Sequence, residues 1–165
     1  MRSILFAALA ALSLSFSSVA LAAGGGGGGA DPVPGQQAKP ADPNFTQAKA
    51  MIEAKNYRGA LPLLQQVVAK DPRNADAYNL MGYATRSSGD PNGSLQYYQQ
   101  ALAIDPRHLG AHEYIGEAYL MLNRTADAEY HLSRLDSLCI FGCTEYRMLK
   151  TAIANYKQGK RVTTN

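Results

Sequence analysis

Displaced by 34 residues, the chain falls onto itself. Asp71-Pro72-Arg73 recurs as Asp105-Pro106-Arg107, and Gly82 recurs as Gly116 with Ala48 one period earlier. Ala60, Ser94 and Ala128 form a second column, Leu64, Tyr98 and Leu132 a third, and Val67, Ala101 and Leu135 a fourth. A repeat of this length holds one supersecondary unit that cannot bury its apolar face alone, so neighbouring units must stack. The small columns fall mid-helix, where they let a paired helix approach closely. Glycine there costs about 1 kcal/mol relative to alanine, so packing must compensate. Pro72 and Pro106 end the second helix of each pair, because proline disfavours helical backbone in the residue before it. The pattern predicts helix pairs at 43–55 with 58–70, 75–88 with 91–104, and 109–122 with 125–138. Asp90-Pro91 is an N-cap and first-turn proline. Gly89 and Asn123 supply left-handed turns, and Thr125 is expected to cap the sixth helix.

These columns, with the aromatic, small and proline positions in order, resemble the tetratricopeptide repeat from residue 43 to about 142. The resemblance implies an all-α fold, a right-handed solenoid of three helix pairs over 43–74, 75–108 and 109–142. The second unit matches best, with Tyr78, Gly82, Tyr98, Ala101 and Pro106 in place, although Thr85 stands where a tyrosine is usual. The third has Ile140 in the proline place, and the first has Gln47 where a leucine is expected. A weak first unit suits a terminal position. Residues 143–158 follow as a capping helix, with Tyr146, Leu149, Ile153 and Tyr156 on one stripe.

Members of this family bind extended peptides or helices along the concave face formed by their first helices. Carried onto this chain, that face comprises Phe45, Lys49 and Ile52, then Asn79, Tyr83 and Arg86, then Glu113, Glu117 and Leu120. It is expected to be basic toward the first two units and acidic at the third. Chaperone-binding members clamp a terminal carboxylate with Lys and Asn. Phe45, Leu80 and Gly110 occupy such places here, so that activity does not transfer.

The chain ends read differently. Met1-Arg2, the apolar run from Ile4 to Leu12 and the small-x-small Ala20-Leu21-Ala22 make residues 1–22 a secretory signal cleaved after Ala22. Residues 23–42 are a Gly/Pro-rich linker, since six consecutive glycines have nothing to bury and the most backbone entropy to lose. The glycine run is followed by Ala30-Asp31-Pro32 rather than the lysine and hydroxyl residue of a phosphate loop. Residues 159–165 form a polar tail expected to fray. Sixteen Lys and Arg face thirteen Asp and Glu, a formal +3, or +2 once Arg2 leaves with the signal. Charge so slight and scattered points to no nucleic acid. After cleavage no stable membrane anchor is expected, which places the protein in a bacterial periplasm or outside the cell.

Cys139 and Cys143 flank Ile140-Phe141-Gly142 between the sixth and seventh helices. In an exported protein such a pair most simply forms a disulfide, and the arrangement resembles one found in exported bacterial proteins of this repeat family. The other reading is a thiol pair for redox exchange or copper(I), which accepts two thiolates, with His131 approaching from the same hairpin. His108, His112 and His131 have no metal-ligand spacing as a set, and His112 takes the place of Tyr78 at a core edge. Asn44, Asn92 and Asn123 match the glycosylation acceptor pattern but lie at helix starts, where caps are wanted. No nucleophile-and-base constellation is present, so the sequence reads as a non-enzymatic adaptor without a cofactor, binding a protein or peptide. The alternative is a thiol-based redox or copper-handling protein.

Overall fold

The computed structural model describes residues 42–160. The signal segment, nearly all of the linker and residues 161–165 lie outside the described residues. Within them the chain forms α1 (Pro43–Glu53), α2 (Tyr57–Lys70), α3 (Ala75–Ser87), α4 (Pro91–Ile104), α5 (Leu109–Met121), α6 (Thr125–Leu138) and α7 (Thr144–Lys157). Each helix packs on the next through α6, α7 lies on both α5 and α6, and the alternate helices α1, α3 and α5 touch one another. This is an all-α repeat solenoid of three helix pairs with a seventh helix over its end.

Local chemistry sets the helix starts. Asp42 accepts from the Asn44 amide at 2.8 Å and Asp90 from Gly93 at 2.7 Å, each followed by a first-turn proline. Asn56 and Asn74 cap α2 and α3 in the same way. These bonds satisfy amides that the helix itself leaves unpaired. Two expectations fail here. The residue before α6 is Arg124, which makes no side-chain cap bond, and Thr125 is the first helical residue. Asn44, Asn92 and Asn123 cap nothing, because the acids Asp42 and Asp90 take that role upstream and Asn123 lies in a turn.

The turns inside the pairs carry the period as clearly as the core does. Lys55, Gly89 and Asn123 stand 34 apart, and all three have positive φ, at 58°, 98° and 60°. After each, an amide reaches back to the carbonyl five residues earlier: Asn56 to Met51, Asp90 to Thr85, Arg124 to Tyr119. That bond is the Schellman closure, which satisfies a carbonyl the ending helix would orphan.

Ala48, Ala60, Leu64, Val67, Ala77 and Met81 make one buried cluster. Leu95, Tyr98, Ile115, Ala118, Tyr119, Leu120, Ala128, Leu135, Leu149 and Ile153 make another. Gly82 faces Tyr98 of its own pair, as the close-approach argument requires: a Cβ there would meet the ring at 2.5 Å. Gly116 does not work the same way. A Cβ on it would meet Leu149 Cδ2 at 2.6 Å, so the glycine admits α7 rather than the paired α6. The capping helix therefore lies against both helices of the third pair, most closely against α5. Tyr156 donates to Asn123 Oδ1 at 2.8 Å and Lys157 pairs with Glu129 at 2.6 Å, tying the end of α7 to the third pair.

Candidate functional site

The face shared by α1, α3 and α5 is where the sequence places a binding groove. Ile52 and Tyr83 do line a common cavity of about 330 Å3, together with Glu53, Lys55, Tyr57, Leu80 and Tyr114. The tyrosine rings are in mutual contact. Tyr57 and Tyr83 meet edge to face at 6.0 Å, and Tyr83 and Tyr114 lie 5.1 Å apart. Such pairs favour offset and edge-on geometry because the ring face is negative and its rim positive.

Where the sequence predicts a groove basic toward the first two units and acidic at the third, the structure brings two of the opposite charges into contact. Arg86 is 1% exposed and its Nη1 lies 2.7 Å from Glu117 Oε2. Its guanidinium also sits 5.5 Å from the Tyr83 ring centre and 5.6 Å from that of Tyr114. The tyrosine wall thus backs onto Arg86, and Arg86 onto Glu117. Burial alone would disfavour the Arg86 charge, but Tyr98 and Glu117 beside it hold its pKa above the ordinary value. Glu117 is pushed up by burial, only partly countered by Arg86.

Glu113, one helical turn before Glu117, is 3% exposed. Burial, then the neighbouring carboxylates of Glu117 and Glu145, push its pKa up to about 8. It is therefore mostly protonated at neutral pH. Burial also raises Tyr114 to about 12, with Glu113 adding to the shift. Asn79 is buried on the facing side of α3, its Nδ2 only 3.3 Å from where a Cβ on Gly110 would stand.

Of the other expected groove residues, Lys49 is exposed, and Phe45 is half-buried against the first core cluster. Leu120 is fully buried and borders a different cavity, with Met121, Asn123, Tyr156 and Lys157. Sequence reasoning missed Tyr57 and Tyr114. Tyr114 stands one period after Leu80, so that column, adjacent to the one chosen, held two of the cavity's lining residues.

The histidines also resolve differently from a ligand set. His108 Nδ1 accepts from the Ala111 amide and caps α5, while its Nε2 meets Asp76 at 3.1 Å. His112 is buried as a core residue. Its Nε2 donates to the Pro106 carbonyl at 3.1 Å, which leaves Nδ1 to accept from His131 Nδ1 at 2.9 Å. His131 is thus engaged with His112 rather than with the cysteines, and it stacks on Tyr119. Burial lowers the pKa of both rings, that of His131 to about 4. Cys139 and Cys143 end α6 and begin α7, with Cα atoms 5.6 Å apart and sulfurs at disulfide distance. Among the described residues no group of three or more His, Cys, Asp or Glu is placed to hold a metal ion.

With this geometry in view, two family models describing the tetratricopeptide repeat match residues 45–107 and 86–153. The chain is a tetratricopeptide-repeat protein. Among solved structures it is similar to MamA from Desulfovibrio magneticus RS-1, with 26% identity and a TM-score of 0.56, over 58% of this chain and 54% of that one. It therefore spans about half the length of the MamA structures it matches. It is also similar to SycD, a type III secretion translocator chaperone of Yersinia enterocolitica. There the TM-score is 0.61 over 70% of this chain and 87% of that one, and at 16% identity the likeness is one of fold. No curated protein sequence matches the chain.

Proposed function

We propose that the protein is an exported, non-catalytic adaptor that binds a protein or peptide on the face of α1, α3 and α5. The observation that carries this reading is the open tyrosine cavity formed by Ile52, Tyr57, Leu80, Tyr83 and Tyr114. A cavity of about 330 Å3 lies at the small end of the range for ligand pockets and has room for one or two side chains of a peptide. Helices on a rigid solenoid can present several such contacts along an extended ligand. Cys139 and Cys143 act as a staple between α6 and α7, not as the working site.

A photo-crosslinking residue at Leu80, introduced in the native cell, tests the binding face. Adducts should form there and be absent from Gln99, exposed on α4; equal labelling of the two would overturn the reading. Export is tested separately. The mature chain should begin at Ala23 or Gly24, and soluble protein that retains Met1 would refute it.

A further inference from the structure

We infer that the segment docked in the tyrosine cavity carries an acidic side chain near its apolar one, and that Lys55 and Arg58 receive this carboxylate in an adjoining cavity. The inference rests on the proposed groove binding and specifies the chemistry of the partner.

A second cavity, of about 260 Å3, is lined by Lys55, Asn56, Tyr57, Arg58 and Ser88. Lys55 and Tyr57 line the tyrosine cavity as well, so the two spaces share a wall. Their chemistry differs. The first is mainly apolar and aromatic, and its two lining charges, Glu53 and Lys55, are of opposite sign. The second has two cations in its lining and no carboxylate. Neither cation is engaged elsewhere. Among the described residues Lys55 and Arg58 make no ion pair and no side-chain hydrogen bond. The backbone adds to them. Tyr57 and Arg58 open α2, and their amides, the first two of the helix, have no backbone acceptor. Amides at a helix start, with the positive end of the helix dipole, favour an anion. A basic side chain would meet two like charges here, whereas a carboxylate finds opposite charge and free donors.

The residue at the shared wall also departs from the repeat. Its counterparts one and two periods on are Gly89 and Asn123, types that accept positive φ readily. Position 55 takes a φ of 58° with a lysine instead. The turn needs only the conformation, and glycine would supply it at lower cost. A strained residue beside a ligand cavity points to a use for its side chain, and Lys55 lines both cavities. Residues of an extended segment rise about 3.3 Å each, so cavities that share a wall suit side chains about two positions apart. One occupies the tyrosine cavity, and the other brings the carboxylate to Lys55 and Arg58.

A displayed library of random linear peptides, selected on the whole protein, tests the inference. Binders should pair a bulky apolar residue with a nearby Asp or Glu more often than the starting library does. Changing that acid to its amide, which keeps the shape and removes the charge, should weaken binding about ten-fold or more, as loss of a charge-assisted hydrogen bond does. Lys55→Gly should weaken the acidic peptide and leave its amide form nearly unchanged. The melting temperature should rise in the same variant, so a folding defect would not account for the loss. Lys55→Arg should keep most of the affinity. Binders that tolerate the amide, that are basic, or that are indifferent to Lys55→Gly overturn the carboxylate site, while groove binding is judged by the crosslink at Leu80. If no peptide is selected, the carboxylate site falls as well, and a Leu80 adduct would still uphold the groove.

Discussion

Gly82 and Gly116 hold the same place in successive repeats, yet alanine at the two should have different consequences. Each substitution gains the same helix propensity, about 1 kcal/mol. At Gly82 the new methyl would lie 2.5, 2.6 and 2.8 Å from Cε1, Cδ1 and Cζ of Tyr98. Carbon atoms rest about 3.5–4.0 Å apart, so the ring must retreat by about 1 Å. Tyr98 is fully buried, with the Tyr114 ring centre 6.3 Å away, and a rigid ring has no shorter rotamer to adopt. Overpacking of this kind costs about 1–3 kcal/mol. The net loss at Gly82 should be about 1 kcal/mol. At Gly116 the methyl meets the two terminal carbons of Leu149, which can turn about χ2, and its Cγ at 3.2 Å, which must give only slightly. There the gain and the cost should nearly cancel. Urea unfolding followed by circular dichroism measures both variants against the parent. Gly82→Ala should lower the midpoint and Gly116→Ala leave it almost unmoved. If Gly116→Ala proves the more damaging, or Gly82→Ala costs nothing, the assignment of each glycine to its partner is wrong.

Glu113, whose folded pKa is raised to about 8 from 4.5, contributes stability that is complete below pH 4.5 and lost as pH rises through about 8. Glu113→Gln should remove that loss, worth a few kcal/mol at most, and unfolding curves at pH 6 and pH 9 would show it, since about two pH units of that interval lie below the folded pKa. His131 has the opposite sign: its folded pKa is lowered to about 4 from 6.5, so stability is complete above pH 6.5 and falls as pH drops toward 4. That loss should approach about 3 kcal/mol at its end, and His131→Phe should flatten it when melting temperature is followed against pH. Lys55 takes a left-handed conformation that its side chain resists, so Lys55→Gly should stabilise by about 0.5–1 kcal/mol in thermal melts. Replacing Cys139 and Cys143 together by serine should cost about 2 kcal/mol on the chain-entropy model and leave helicity and peptide binding intact. Binding lost with stability kept would instead favour a thiol function.

The fold was legible because a repeat writes its core three times. Ala48, Gly82 and Gly116 share a column, and so do Ala60, Ser94 and Ala128; every one of the six is buried. Even where single matches were poor, as at Gln47 or Ile140, the period carried the register. The helix ends were less legible where an unusual residue did the work. A histidine caps α5 through Nδ1, and Arg124 precedes α6 with no cap bond, so Thr125 drew the sequence reading one residue too far. Gly116 misled for a related reason. The period assigned it the partner that Gly82 has, but the last repeat borders α7, and the neighbour changes although the residue does not.

The site was legible in direction and not in depth. The repeat register placed Asn79, Tyr83, Arg86, Glu113 and Glu117 on one face, and the structure brings Arg86 against Tyr83 and Glu117, with Glu113 close enough to Glu117 to feel its charge. It could not show that the charges are buried, because the pairing that neutralises them runs diagonally. Arg86 meets Glu117 across 31 residues, one turn short of the period, so no column comparison sets them side by side. The same holds for His112 and His131, 19 apart. What the columns do reveal is where uniformity stops. The core columns repeat small against small and apolar against apolar. The groove columns change chemistry at each step: Phe45 to Asn79 to Glu113, Lys49 to Tyr83 to Glu117, Ile52 to Arg86 to Leu120. A solenoid needs its core positions alike so that each unit can stack on the next, but nothing in stacking constrains the residues that face a ligand. Variation at fixed register is therefore the signature of a face free to be fitted to a partner. In this chain it converges on the tyrosine cavity and the carboxylates behind it.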